Sequence, residues 1–260
     1  MTAILPAVRA EIESRLARVA ADEGVRLLMA IESGSRAWGF PSPDSDYDVR
    51  FLYVRPRRDY LALAPARDVI ERPIVDEIDL NGWDIRKALG LMLKNNSVLS
   101  EWIASPIRYV ADDPAMARLA GLIDRFFDPR GFALHYANLG TAALGRWVDG
   151  ETQVAVKRYF YALRPALAIR VLRLDPSRRP PMQLQRLMEL GNLPGSLTAE
   201  IESLVALKAE TREAGLVARS PALEALVTDE LGRAGEVPGR PGGPEFEAAA
   251  DALFVELVEP

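Results

Sequence analysis

Two apolar runs of strand length, residues 25–31 (VRLLMAI) and 47–54 (YDVRFLYV), flank a turn-rich stretch. Residues 33–43 between them hold two Gly, two Pro and three Ser. A continuous run of seven apolar or long-stemmed residues cannot alternate between core and water, so the first run predicts a strand buried on both faces. The second is rich in aromatic and β-branched residues and predicts another strand. The chain must then supply cover for both faces of the sheet. Residues 29–54 (MAIESGSRAWGFPSPDSDYDVRFLYV) thus form the hub. The remainder reads as its support, as a third acid beside it, or as a lid.

Residues 3–22 predict an amphipathic helix with Ile4, Val8, Ile12, Leu16 and Val19 on one side, stopped at Gly24. The stretch 35–39 has room for a short helix, and 57–63 predicts another. Residues 69–81 carry a third strand centred on VDEIDLN, where Glu77, Asp79 and Asn81 alternate with Ile78 and Leu80 and Gly82 is read as a breaker. Asp84 is placed to cap a helix that runs to Asn95-Asn96, followed by a helix over 98–103. Beyond Asp112 the strand pattern gives way to helical spacing over 114–127, 129–148, 151–174, 182–190, 198–213, 221–231 and 245–258. The last of these reads as a helix returning to the body. Residues 232–244 read as a flexible loop. The expectation is an α+β or α/β chain, with a small mixed-sheet domain over 1–110 and an all-helical domain over 111–260.

The 260 residues suffice for one large or two modest domains. No apolar run approaches the ~20 residues of a membrane span. The N-terminus, with acids interspersed, does not read as a signal peptide. The absence of Cys excludes disulfides and thiolate metal sites, and with them points to a cytoplasmic protein. A net charge of −5 argues against coating duplex DNA and leaves room for a local basic groove. Only Lys87, Lys94, Lys157 and Lys208 are lysines, which makes each of them worth following.

The chemistry lies in the hub. Alternation along a strand points Asp46 and Asp48 the same way, roughly 6–7 Å apart. Carboxylates that close repel unless a cation joins them, and hard oxygen ligands suit Mg²⁺ or Mn²⁺. Gly34-Ser35, after a buried strand, offers backbone N–H groups and a hydroxyl to phosphate. A lone Asp-x-Asp is common in surface loops, and a lone Gly-Ser means nothing. The ordered combination of strand, Gly-Ser, Asp-x-Asp and strand is far more specific, and describes a site that handles a nucleoside triphosphate.

GSRAWGF with PDSDYDVRFLYV resembles the Gly-Ser…Asp-x-Asp signature of the DNA polymerase β-like nucleotidyltransferases. It is closest to a bacterial group associated with RNA repair. The resemblance covers about 30–105 and continues through 130–174. It implies two divalent ions held by three carboxylates, with Asp46 and Asp48 as the first two. Asp79 is the choice for the third, with Glu77, two residues earlier on the same strand, as the fallback. It further implies in-line attack of an acceptor hydroxyl on the α-phosphate, with pyrophosphate leaving. The acceptor is left open among an RNA end, a small alcohol and a protein hydroxyl.

Other residues carry two readings each. Arg36 either reaches phosphate or is a solvated turn residue. Trp38 and Phe40 either stack on a base or pack the turn against the sheet. Arg50, sharing the face of Asp48, is expected to pair with a site carboxylate. On the segment 151–174, Lys157, Tyr161 and Arg164 share one helical side and Val156, Phe160, Leu163 and Leu167 another. The resemblance makes the first set triphosphate ligands; otherwise they are a solvated face. His135, the sole histidine, reads as a structural residue inside a helix. A second class of function is a catalytically inactive nucleotide-binding or antitoxin-like partner protein of the same fold. A phosphohydrolase with an unrelated Asp-x-Asp ranks last.

Overall fold

Five strands form the central sheet: β1 (Arg26–Glu32), β2 (Tyr47–Val54), β3 (Val69–Glu71), β4 (Ile78–Asp84) and β5 (Arg108–Val110), in the order β3-β4-β2-β1-β5. They belong to a computed structural model that describes residues 4–146, 152–211 and 215–259. β1 pairs antiparallel with β2 and β5, β3 antiparallel with β4, and β2 parallel with β4. The sheet is therefore mixed, as expected. Leu28, Met29, Ala30 and Ile31 are fully buried, in keeping with a strand covered on both faces. Helix α1 (Pro6–Glu23) lays Ile12, Leu16 and Val19 into a cluster with Val49, Phe51, Tyr53, Ile78 and Leu80, and Ile4 and Val8 pack beside it. Gly24 closes this helix at φ 61°, a left-handed cap that glycine adopts without strain.

Two expectations in this region need correction. Gly82 does not break the third strand; β4 runs through it to Asp84. A Cβ on residue 82 would stand 2.1 Å from the Phe51 ring, so glycine there makes room for an aromatic on the neighbouring strand. A short strand, β5, follows the helical stretch that ends at Ile103 and forms the sheet edge beside β1. Its three residues are too few to leave a period in the sequence.

The chain divides into two compact units, Met1–Ala37 with Asp46–Phe126 and Gly242–Pro260, and Trp38–Ser45 with Phe127–Pro241. The position expected for a boundary, near residue 110, lies inside the first unit. The reason is packing. Helix α6 (Ala115–Phe126) and the last helix, α12 (Gly243–Val258), pack on each other, with the Phe126 and Phe246 rings stacked at 5.0 Å. α12 also packs on α4 (Ile85–Leu93), so the returning C-terminal helix belongs with the sheet.

The second unit is built on α7 (Pro129–Leu144), α8 (Val156–Leu174) and α11 (Pro221–Gly232). It is not all-helical. Residues 153–155 form a strand, β6 (Gln153–Ala155), paired antiparallel with β7 (Leu216–Ala218). The helix expected from residue 151 therefore starts at Val156. The ends of that expectation and of those over 129–148 and 198–213 fall at 147–151 and 212–214, outside the described residues. Pro165 sits inside α8 without ending it. Fully buried Glu230 on α11 is held by Arg170 at 2.7 Å and Arg173 at 3.0 Å from α8. Among the described residues no helix is long and apolar enough to cross a membrane.

Candidate active site

The parallel pairing of β2 with β4 sets Asp48 directly opposite Asp79. Parallel neighbours in register project to the same face, so two acids separated by 31 positions in sequence end side by side. Between them lies Arg50. Its Nη2 donates to Asp48 Oδ1 at 2.9 Å and to Asp79 Oδ2 at 2.7 Å. Its Nη1 donates to the carbonyls of Asp79, at 3.0 Å, and Val49, at 3.1 Å. The expected pairing of Arg50 with a site carboxylate is thus present twice over.

The Gly-Ser turn sits against the same acid. Gly34 has φ 58°, and a Cβ there would fall 1.8 Å from Asp48 Oδ2. Both the backbone conformation and the space admit only glycine. The Ser33 N–H donates to the Asp48 carbonyl at 2.8 Å, which ties the start of the turn to the acid-bearing strand. Gly34–Trp38 form the short helix α2, carrying Ser35 and Arg36. The Arg36 guanidinium lies 4.0 Å from the centroid of the Tyr47 ring, a cation–π contact.

One residue beside these groups went unread in the sequence. Glu32, the last residue of β1, is fully buried. Its Oε1 accepts the Asp48 backbone N–H at 3.2 Å, and its Oε2 accepts the Tyr109 hydroxyl at 2.5 Å. Burial pushes the Glu32 carboxyl up to about 7; the nearby Asp48 charge adds to the rise, while the Tyr109 hydrogen bond opposes it. Tyr109 is itself pushed well above its ordinary range, by burial first and by the Glu32 charge next, so it stays a donor. The signal for Glu32 was an acid closing a continuous apolar run immediately before Ser33-Gly34. Such a position has no exposed face to give it.

The other expected site residues lie as follows. Asp46 is exposed, one residue before β2 begins. Glu77, the fallback acid, is not on the strand. Asp76 and Glu77 take φ 54° and 61° and make a tight turn, closed by the Ile78 N–H on the Val75 carbonyl at 3.1 Å. Glu77 is therefore exposed in a turn while Asp79 is on β4. Among the described residues, no three acidic, histidine or cysteine side chains stand close enough together to hold an ion as they are.

Lys157, Tyr161 and Arg164 lie on α8 in the second unit. They do not form one solvated stripe. Arg164 is buried, donates from Nε to the Met182 carbonyl at 3.2 Å and stacks over Trp38 at 4.1 Å. Tyr161, 42% exposed, meets Trp38 edge-on at 5.5 Å. Phe40 is buried and stacks on Phe160 at 4.3 Å. The turn aromatics thus pack on α8. His135 lies within α7, as expected of a residue inside a helix. Asn96 caps the helix α5 (Ser97–Ile103), accepting the Val98 and Leu99 N–H groups.

The structure thus sets a strand-borne acid pair beside a Gly-Ser turn. The chain belongs to the RNA repair pathway DNA polymerase beta family (RlaP), whose model matches residues 8–256. It is 38% identical over 226 residues to a Bacillus subtilis (strain 168) protein named "Uncharacterized protein YcgL", covering 87% of this chain and 86% of that one. Among solved structures it is similar to a nucleotidyltransferase-like protein from Exiguobacterium sibiricum 255-15. That likeness has 12% identity and a TM-score of 0.33, over 95% of this chain and 79% of the other.

Proposed function

We propose that the chain is a metal-dependent nucleotidyltransferase. It moves a nucleoside monophosphate from a nucleoside triphosphate to the hydroxyl of an RNA end, with pyrophosphate leaving. One observation carries the reading. In a chain of this family, Asp48 and Asp79 are register partners on adjacent strands, with the Asp48 carboxylate where a side chain on residue 34 would be.

The donor set fits a divalent ion. Asp48 and Asp79 are hard oxygen ligands already joined by a cation, the Arg50 guanidinium, and Asp46 lies two residues before Asp48, just ahead of β2. Asp46, Asp48 and Asp79 would hold two Mg²⁺ or Mn²⁺ ions. When bound, these neutralise triphosphate charge and lower the pKa of the acceptor hydroxyl.

The chain's own groups do the rest. Glu32 and Tyr109 hold the backbone of Asp48 in place. Gly34 leaves room for the Asp48 carboxylate, and Ser35 and Arg36 are the phosphate donors beside it. The family's RNA-repair description supports an RNA end over a small alcohol or a protein hydroxyl.

The test is incubation with each of the four labelled triphosphates, Mg²⁺ or Mn²⁺, and a panel of RNA ends. Label should pass to RNA. Asp48→Ala and Asp79→Ala should each lower transfer at least about a hundredfold, the scale of removing one group that neutralises transition-state charge. Their melting temperatures should stay within a few degrees. Wild-type turnover in either variant would sink the assignment. No label from any triphosphate, together with a melting shift by a non-hydrolysable analogue, would instead support the inactive nucleotide-binding reading.

A further inference from the structure

Arg50 is positioned in a way that the proposed reaction does not by itself require. One nitrogen of its guanidinium serves the two facing carboxylates, at 2.9 and 2.7 Å, and so stands where their mutual repulsion is greatest. The other terminal nitrogen is fixed by two backbone carbonyls. The anchor is therefore independent of the acids. Its side chain is 18% exposed, against 28% for Asp48 and 27% for Asp79, so the cation lies deeper than either acid. Asp48, Asp79 and Arg50 together carry one net negative charge instead of two.

Resting on the nucleotidyltransferase reading, we infer that Arg50 is a resident counter-cation that keeps the Asp48–Asp79 pair from loading a divalent ion by itself. The pair takes up metal together with the triphosphate, whose negative charges restore the attraction that Arg50 removes. Repulsion between a dication and a guanidinium about 5 Å apart in a water-like dielectric is worth on the order of tenfold in binding. The role belongs to Arg50 as a positioning residue: it sets the order in which metal and nucleotide arrive and takes no part in bond making.

The experiment is Mn²⁺ titration of the full chain, read from the spin-resonance signal of free Mn²⁺, with and without a non-hydrolysable triphosphate, each compared with the same mixture lacking protein so that Mn²⁺ held by the analogue alone is subtracted. Wild type should bind Mn²⁺ weakly alone and tightly with the analogue. Arg50→Gln should bind Mn²⁺ alone on the order of tenfold more tightly than wild type. Arg50→Lys, which keeps the charge, should stay near wild type. An Arg50→Gln affinity no higher than wild type, in a protein whose wild type binds Mn²⁺ with the analogue, overturns the inference. Failure of wild type to bind Mn²⁺ even with the analogue instead overturns the nucleotidyltransferase reading.

If Arg50→Gln does not fold, wild type supplies the second measurement. The guanidinium nitrogen resonance of Arg50, assigned by its loss in Arg50→Lys, should be unmoved by Mg²⁺ alone and displaced by Mg²⁺ with the analogue. Displacement by Mg²⁺ alone refutes the proposal.

Discussion

Replacing Glu32 by Gln isolates the buried acid behind the site. The ordinary glutamate carboxyl titrates near 4.5, and in the fold burial raises Glu32 to about 7. The separation corresponds to about 3 kcal/mol. The sign follows from proton binding. Between these pH values the folded state holds a proton that the unfolded state has lost, so stability falls as pH rises. The contribution is intact below about 4.5, is lost progressively up to about 7, and is fully lost above it. Gln keeps an oxygen to accept the Asp48 N–H and an amide toward Tyr109, but it does not titrate. Urea unfolding of both proteins at pH 5, 6, 7 and 8 checks the point. The stability of wild type relative to Glu32→Gln should decline across this range, by about 3 kcal/mol in the full limit. Parallel curves for the two proteins would show that Glu32 ionises freely in the fold. The account of how it holds Asp48 would then fail.

Gly34→Ala should cost about 1 kcal/mol in backbone strain alone and lower transfer far more than stability, because the new methyl displaces the Asp48 carboxylate. Unimpaired transfer would remove Gly34 from the site. Glu77→Gly should stabilise by up to about 1 kcal/mol in a thermal melt, since φ 61° suits glycine, and should leave transfer intact. Loss of transfer would return Glu77 as the third acid. Glu230→Ala, which leaves Arg170 and Arg173 without their shared buried partner, should cost about 3–5 kcal/mol by urea midpoint. A change under about 1 kcal/mol would mean that water reaches the site.

The local code carried the elements well. Apolar run lengths located β1 and β2, the spacing of Ile12, Leu16 and Val19 oriented the first helix, and Asp84 caps α4 by accepting the Arg86 N–H at 2.8 Å. The ordered Gly-Ser and Asp-x-Asp pattern was enough to point to the family. These features are legible because side-chain period, turn chemistry and capping act over a few residues.

What only the tertiary structure decided depends on pairing between distant segments. No local pattern says that Asp48 faces Asp79, because register arises from β2 adding β4 in parallel across a long connection. The same pairing turned Gly82 from an apparent breaker into space for Phe51, left Glu77 in a turn, and put Arg50 between two acids. Glu32 acquired its raised carboxyl only when the folded chain closed off water around it and set the Asp48 charge nearby. The sequence determined which groups the site has; the strand order determined which of them meet.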